Sequence, residues 1–164
     1  MTTTPQFGLT HTMIRVKDPE RSLEFYRDVI GMKLIARFDF EEAKFSLYFL
    51  DAAANEPPAD VTVEEVFSRP GLLELVHNWG SENDPGFRTS SGNEEPKGYG
   101  HICLSVPDIE AACAHLDANG VTFRKRLGEG GMKDIVFFED PDGYWIELVA
   151  PGRMRALVGA HRVV

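Results

Sequence analysis

The sequence predicts an α+β protein made of two βαβββ modules whose strands form open, curved, mixed four-stranded sheets. Three observations carry this prediction. The chain repeats itself weakly with a period near ninety, so that His11 lies seven residues before Asp18 and His101 seven before Asp108. In each copy an apolar strand runs through an aspartate into a segment of helical periodicity that ends at a glycine. Each copy then closes on the same tripeptide, Glu74-Leu75-Val76 and Glu147-Leu148-Val149.

Taken in order, residues 8–16 form the first strand, Asp18 is the N-cap and Pro19 takes the first helical position, where its missing N–H costs nothing. Leu23, Tyr26 and Ile30 mark the apolar face of a helix stopped by Gly31, a C′ residue. Short β-rich runs follow at 32–38, 45–50 and 72–79. Polar stretches at 51–70 and 80–98 are expected to be long surface loops. The second copy has a strand at 100–106, the cap Asp108, a helix through Ile109, Ala112, Cys113 and Leu116 ending at Gly120, and strands at 122–126, 134–139 and 144–149. Asp140-Pro141-Asp142-Gly143 joins the last two strands as a turn. The modules are therefore set at residues 1–97 and 98–164.

The 164 residues carry 17 Lys+Arg against 26 Asp+Glu, a net charge of −9, which repels nucleic-acid backbones and anionic lipid surfaces. No run approaches the length of a membrane span, and the amino-terminal residues lack a basic segment followed by an apolar one, so the expected location is the cytoplasm. Two cysteines ten positions apart, Cys103 and Cys113, suit reduced core thiols better than a disulfide framework.

The duplication singles out four positions: His11 and His101 on the first strands, Glu74 and Glu147 on the last. Singly, a strand histidine is most often hydrogen-bonded in place and a strand glutamate faces water. Together they are a donor set. A carboxylate set among apolar neighbours needs a cationic partner, because burying it unpaired costs several kcal/mol. Two neutral imidazoles and two carboxylates total −2, and mixed N/O ligation suits Zn, Ni, Co or Fe rather than Ca or Mg. A closed four-coordinate site would be structural and an open one catalytic, and the residues alone leave both readings standing.

The runs His11–Tyr26, Lys44–Leu50, Leu73–Gly80, Gly98–Ile102 and Asp140–Glu147 resemble, in order and spacing, the glyoxalase I (lactoylglutathione lyase) family of the vicinal-oxygen-chelate superfamily. The resemblance covers residues 7–151 and implies paired βαβββ modules, a homodimer with active sites between subunits, and the metal ligands His11, Glu74, His101 and Glu147. His11 departs from the animal enzymes, which carry glutamine there, and matches fungal and bacterial ones. The inserted stretches imply zinc, with nickel or cobalt as the alternative. The implied reaction isomerises the hemithioacetal of methylglyoxal and glutathione to S-D-lactoylglutathione through an enediolate, with Glu147 as general base and Glu74 as the second catalytic carboxylate.

Glutathione, the co-substrate, carries two carboxylates and one ammonium and so requires local cations. The matching positions are Arg15, Asn78, Lys97 and Lys125; alternation independently sets Arg15 on the face of His11 and Asn78 on that of Glu74. At Lys97 the animal enzymes have arginine, so bidentate carboxylate binding is lost there. The apolar side of the substrate pocket falls to Phe40, Phe45, Leu47 and Phe49, with Met132, Ile135, Phe137 and Met154 from the second copy and tail. Gly128–Met132 lacks the Lys-Ser/Thr of a phosphate loop and is expected to be a mobile lid. Two other classes share the fold: extradiol dioxygenases, which hold iron with two histidines and one glutamate, and metal-free small-molecule binding proteins. Retention of all four donors argues against both.

Overall fold

Asp18 and Asp108 end the opening strand of each copy in the same extended conformation (φ −129°, ψ 111° and φ −129°, ψ 105°). The Asp18 carboxylate accepts from the Glu20 and Arg21 N–H groups and that of Asp108 from Ala111, so each satisfies donors a helix start would otherwise leave bare. The computed structural model describes residues 4–53 and 60–162. The first three residues of the amino-terminal reading and 54–59 of the expected first loop lie outside the described residues.

By internal contacts the chain divides into two units, one ending at Arg88 and one starting at Thr89. In the first, β1 (His11–Val16), α1 (Pro19–Leu23), β2 (Lys33–Phe40), β3 (Phe45–Asp51), α2 (Val63–Ser68) and β4 (Leu72–Asn78) follow in order. The second has β5 (His101–Ser105), α3 (Ile109–Ala118), β6 (Phe123–Lys125), β7 (Ile135–Glu139), β8 (Trp145–Val149) and α4 (Pro151–Val158). The sheets are ordered β1-β4-β3-β2 and β5-β8-β7-β6. In both, the first strand runs parallel to the last and the other pairs are antiparallel. Both sheets are thus open and mixed, as the duplicated pattern predicts.

Alternation decides which face each sheet buries. Ile14, Val16, Leu73, Leu75, Tyr48 and Leu50 point to one face and are all buried, as are Phe25 and Tyr26 of the helical segment between β1 and β2. That segment departs from the expected single α-helix. After Leu23 it widens into a π-helical stretch, Glu24–Val29, in which the Ile30 N–H donates to the Phe25 carbonyl. A wider turn brings consecutive side chains closer to one side, and here the adjacent Phe25 and Tyr26 rings, 5.0 Å apart, are both buried. Gly31 and Gly120 end the two helical segments at φ +89° and +68°, where a Cβ would be strained. In the second unit Val136, Phe138, Ile146, Leu148, Ile109 and Leu116 are buried on the equivalent side.

Two expectations need correction. The stretch 51–70 is not a loop throughout: it contains α2, opened by a capping box in which the Glu65 N–H donates to Thr62 Oγ1 (3.2 Å) and the Thr62 N–H to Glu65 Oε2 (2.8 Å). Val66 of α2 is fully buried against Ile35, Phe49 and Leu72. Thr62→Ala should therefore cost about 1 kcal/mol, read as a lower urea midpoint with an unchanged slope. The cysteines are free, as expected, but neither sits in the core: Cys113 is half-buried and Cys103 is exposed. Strand alternation explains Cys103, since Ile102 and Leu104 point the opposite way.

Candidate metal centre

The strand register brings the four predicted ligands together two by two. On one face of the first sheet, β1 presents His11, Met13 and Arg15, β4 presents Glu74, Val76 and Asn78, and β3 presents Phe49, Leu47 and Phe45 opposite them. His11 Nε2 lies 3.2 Å from Glu74 Oε2. Its Nδ1 is 2.9 Å from the Thr10 hydroxyl, which orients the ring and leaves Nε2 facing the carboxylate. In the second sheet His101 Nε2 lies the same 3.2 Å from Glu147 Oε2.

Aromatic rings repeat the symmetry. Phe49 is the register partner of Glu74 and meets the His11 ring edge-on, centroids 5.5 Å apart. Phe137 is the register partner of Glu147 and meets His101 edge-on at 5.3 Å. Each half-site is thus an imidazole, a carboxylate and a phenyl wall, the constellation that fixes a ring's orientation while leaving one nitrogen for coordination.

The two halves differ in surroundings. Glu74 is buried, and burial pushes its carboxyl up from the ordinary carboxylate range, partly offset by His11. A cation on that carboxylate would relieve the penalty of holding its charge there. Glu147 is half-buried and His101 exposed. Beside Glu147, Cys103, whose S–H donates to the Leu104 carbonyl at 3.8 Å, has its thiol pushed up to about 11 by partial desolvation and by the neighbouring Glu147 carboxylate. The donor set fits a divalent ion of borderline softness: two imidazoles aimed at two carboxylates, with the acids supplying −2. Among the described residues no group of three or more histidine, cysteine and acidic side chains gathers around one point; each unit by itself holds one histidine–glutamate pair.

The predicted glutathione contacts are distributed unevenly. Arg15 and Asn78 are exposed on the His11–Glu74 face, at the end of the strands away from His11. Lys97 is exposed and 3.7 Å from Glu95. Lys125 spends two of its three ammonium protons on backbone carbonyls, donating to Met132 (2.6 Å) and Ile135 (2.5 Å). These bonds clasp the expected lid: Gly128 N–H also donates to Lys133 O, and Arg126 N–H to Glu129 Oε2.

Of the apolar pocket residues, Phe45, Leu47 and Phe49 share the ligand face, and Phe40 stacks on Phe45 at 4.6 Å. Phe137 is half-buried beside His101, Ile135 is buried, Met132 is exposed, and Met154 is half-buried on α4. Sequence reasoning missed Phe67. From α2 its ring reaches Phe49 (5.4 Å), Phe38 (6.2 Å) and His11 (6.1 Å), which makes the supposed loop a wall of the first half-site. The capping-box pattern Thr62-x-x-Glu65 before Val66-Phe67 was the available signal.

Three comparisons bear on this arrangement. The family described as Glyoxalase/Bleomycin resistance protein/Dioxygenase superfamily matches residues 8–148. A Saccharomyces cerevisiae protein named glyoxalase I is 54% identical over 151 residues, 91% of this chain and 46% of that protein. A Pseudomonas aeruginosa lactoylglutathione lyase is 51% identical over 149 residues, 89% of this chain and 84% of that protein. The chain thus spans about half the length of the yeast relative and most of the bacterial one. Among solved structures, a glyoxalase I of Leishmania major described as trypanothione-dependent superposes with TM-score 0.71 at 29% identity, covering 95% of both chains.

Proposed function

The chain belongs to the Glyoxalase/Bleomycin resistance protein/Dioxygenase superfamily, and from that premise we propose that it is a lactoylglutathione lyase acting on the hemithioacetal of glutathione and methylglyoxal. The observation that carries the reading is the pair of matched half-sites, each with an imidazole nitrogen 3.2 Å from a glutamate oxygen. The sequence likeness to proteins named for this reaction, at 51–54% identity, supports it.

His11, Glu74, His101 and Glu147 would hold the metal, zinc by preference with nickel or cobalt as alternatives. When bound it supplies Lewis-acid stabilisation of the negative charge that builds on the two substrate oxygens, an effect of several kcal/mol. Glu147 takes the proton from C1 of the hemithioacetal. The C–H electrons become the C1–C2 double bond of an enediolate while the C2 carbonyl pair moves onto its oxygen; the same carboxyl returns the proton to C2, and passage of the C1 hydroxyl proton to the C2 oxygen leaves a thioester at C1 and a hydroxyl at C2. Glu74 is the second ligand carboxylate and serves the opposite stereochemical face. Arg15 and Asn78 receive the polar ends of glutathione, with Lys97 and Lys125 as further cations. Phe40, Phe45, Leu47 and Phe49, with Phe67, enclose the reacting end from the first unit. Met132, Ile135, Phe137 and Met154 do so from the second.

With one histidine–glutamate pair in each unit, and as the family resemblance implies, we assign the complete centre to a homodimer in which the first unit of one subunit meets the second unit of its partner, working in the cytoplasm. The test is thioester absorbance after mixing the preformed hemithioacetal with metal-free protein reconstituted separately with zinc, nickel or cobalt. Turnover with at least one ion, and none in its absence, is expected. Stoichiometric metal uptake without thioester formation would reduce the centre to a structural one.

A further inference from the structure

Side-chain alternation gives the first sheet a second polar region, on the face turned away from His11 and Glu74. There Arg37 of β2 is the register partner of Tyr48 of β3, Asp39 that of Ser46, and Ser46 in turn that of His77 of β4. Between these strands, the start of α1 and Trp79 lies a cleft of about 640 Å³. Hydrogen bonds tie its walls together. The Trp79 indole N–H donates to Ser46 Oγ (2.8 Å), and both the Ser46 hydroxyl (2.6 Å) and the Arg37 Nε–H (2.9 Å) donate to Asp39 Oδ1. The Arg37 guanidinium is held over the Tyr48 ring at 5.2 Å. Three groups on this cleft lack a partner among the described residues. Arg37 has committed only Nε, which leaves both Nη groups of its fork open. Tyr48 is only 5% exposed, yet its hydroxyl makes no hydrogen bond; since every fully buried polar side-chain atom described is satisfied, that hydroxyl opens into the cleft that Tyr48 lines. Of the bordering carboxylates, Asp18 caps α1 and Glu82 is held by His77 Nε2 (2.7 Å) and the Gly80 N–H (3.0 Å), whereas Glu20 is exposed and unpaired.

We propose that this cleft is a second binding site, separate from the metal centre, for a small zwitterion of the α-amino-acid type with an apolar side chain. The ligand carboxylate meets the Arg37 fork and the Tyr48 hydroxyl, its ammonium meets Glu20, and its side chain lies against Leu23 and the exposed Trp79 ring. Charge selects this class. A simple anion entering the cleft is repelled by Asp18, Glu20 and Glu82, and a simple cation by Arg37, while a zwitterion answers both signs at once. The same head group occurs on free amino acids and at the γ-glutamyl end of glutathione, and only the free amino acid brings an apolar side chain to the indole. The site does not depend on the reaction proposed above, because none of its side chains is on the ligand-bearing face.

The test is a titration of the full chain followed by NMR at the Trp79 indole N–H, which Trp145→Phe distinguishes from the signal of the other tryptophan. L-Phenylalanine should shift that signal saturably. Phenethylamine, which lacks the carboxylate, should bind about tenfold or more weakly, and 3-phenylpropionate, which lacks the ammonium, about threefold. Arg37→Gln should weaken phenylalanine about tenfold, and Glu20→Gln about twofold to fivefold, as suits an exposed pair. Tyr48→Phe removes an oxygen that has no partner in the free protein, so it should weaken binding about threefold and leave the thermal midpoint where it was; a role confined to packing would do the reverse. Glutathione shifting the same signal more tightly than phenylalanine, with the same dependence on Arg37 and Tyr48, would uphold the head-group site and identify the γ-glutamyl end as its occupant. The absence of a saturable shift with both phenylalanine and glutathione, equal binding of phenylalanine and phenethylamine, or affinity indifferent to both Arg37→Gln and Tyr48→Phe overturns the proposal.

Discussion

Glu147→Gln is expected to leave a folded, metal-loaded protein whose kcat is lower by about a thousandfold, within the range a positioned general base contributes. The substitution is isosteric, and the packing of β8 does not depend on the charge, because Ile146 and Leu148 bury themselves on the opposite face of the strand. An amide oxygen can still ligate, so metal should be retained at close to one ion per site. An amide cannot accept the C1 proton at neutral pH, so the barrier rises where the C–H bond breaks. The check is paired measurement of bound metal and thioester formation on one preparation. Loss of metal would recast Glu147 as chiefly a ligand, and activity within a few-fold of wild type would remove it from proton transfer.

The modules and the half-sites were legible because they rest on short-range rules acting twice. Asp18 and Asp108, ninety residues apart, each cap a helix by accepting from the N–H three residues on, and Glu74 and Glu147 fall at corresponding places in the closing strands, so the shared strand order of the two copies, more than a fixed offset, pairs each with its histidine. Side-chain alternation then placed Arg15 and Asn78 on the ligand face. What escaped depends on longer-range packing or on signals too short for periodicity. Helix α2 has six residues, fewer than two turns, and lies in a polar, proline-containing stretch; what secures it is its capping box and the burial of Val66. The widening of the first helical segment answers to the joint burial of Phe25 and Tyr26, which no pattern of single residues encodes. Lys125 shows the same limit. As a cation on a strand it suits a glutathione contact, yet only the folded loop reveals two carbonyls within reach of its ammonium.

Mixing two inactive proteins should restore activity. His11→Ala removes a ligand from the first unit and His101→Ala one from the second, and each homodimer should lose metal and turnover together, since a two-imidazole, two-carboxylate set missing one imidazole holds a divalent ion poorly. Suppose the centre joins the first unit of one subunit to the second unit of the other. In a dimer of one His11→Ala and one His101→Ala chain, one centre then receives both lesions and the other receives neither, because the intact first unit of the His101→Ala chain meets the intact second unit of the His11→Ala chain. Co-expression with two different affinity tags isolates that heterodimer. It should bind one metal ion in place of two and turn over at about half the wild-type rate per dimer, as symmetry requires of one intact site in two. A centre built within one chain gives the opposite result, for every chain then carries a lesion and the heterodimer stays as inactive as its parents. The contrast is large because it does not depend on how much each histidine contributes, only on which chain supplies its partner.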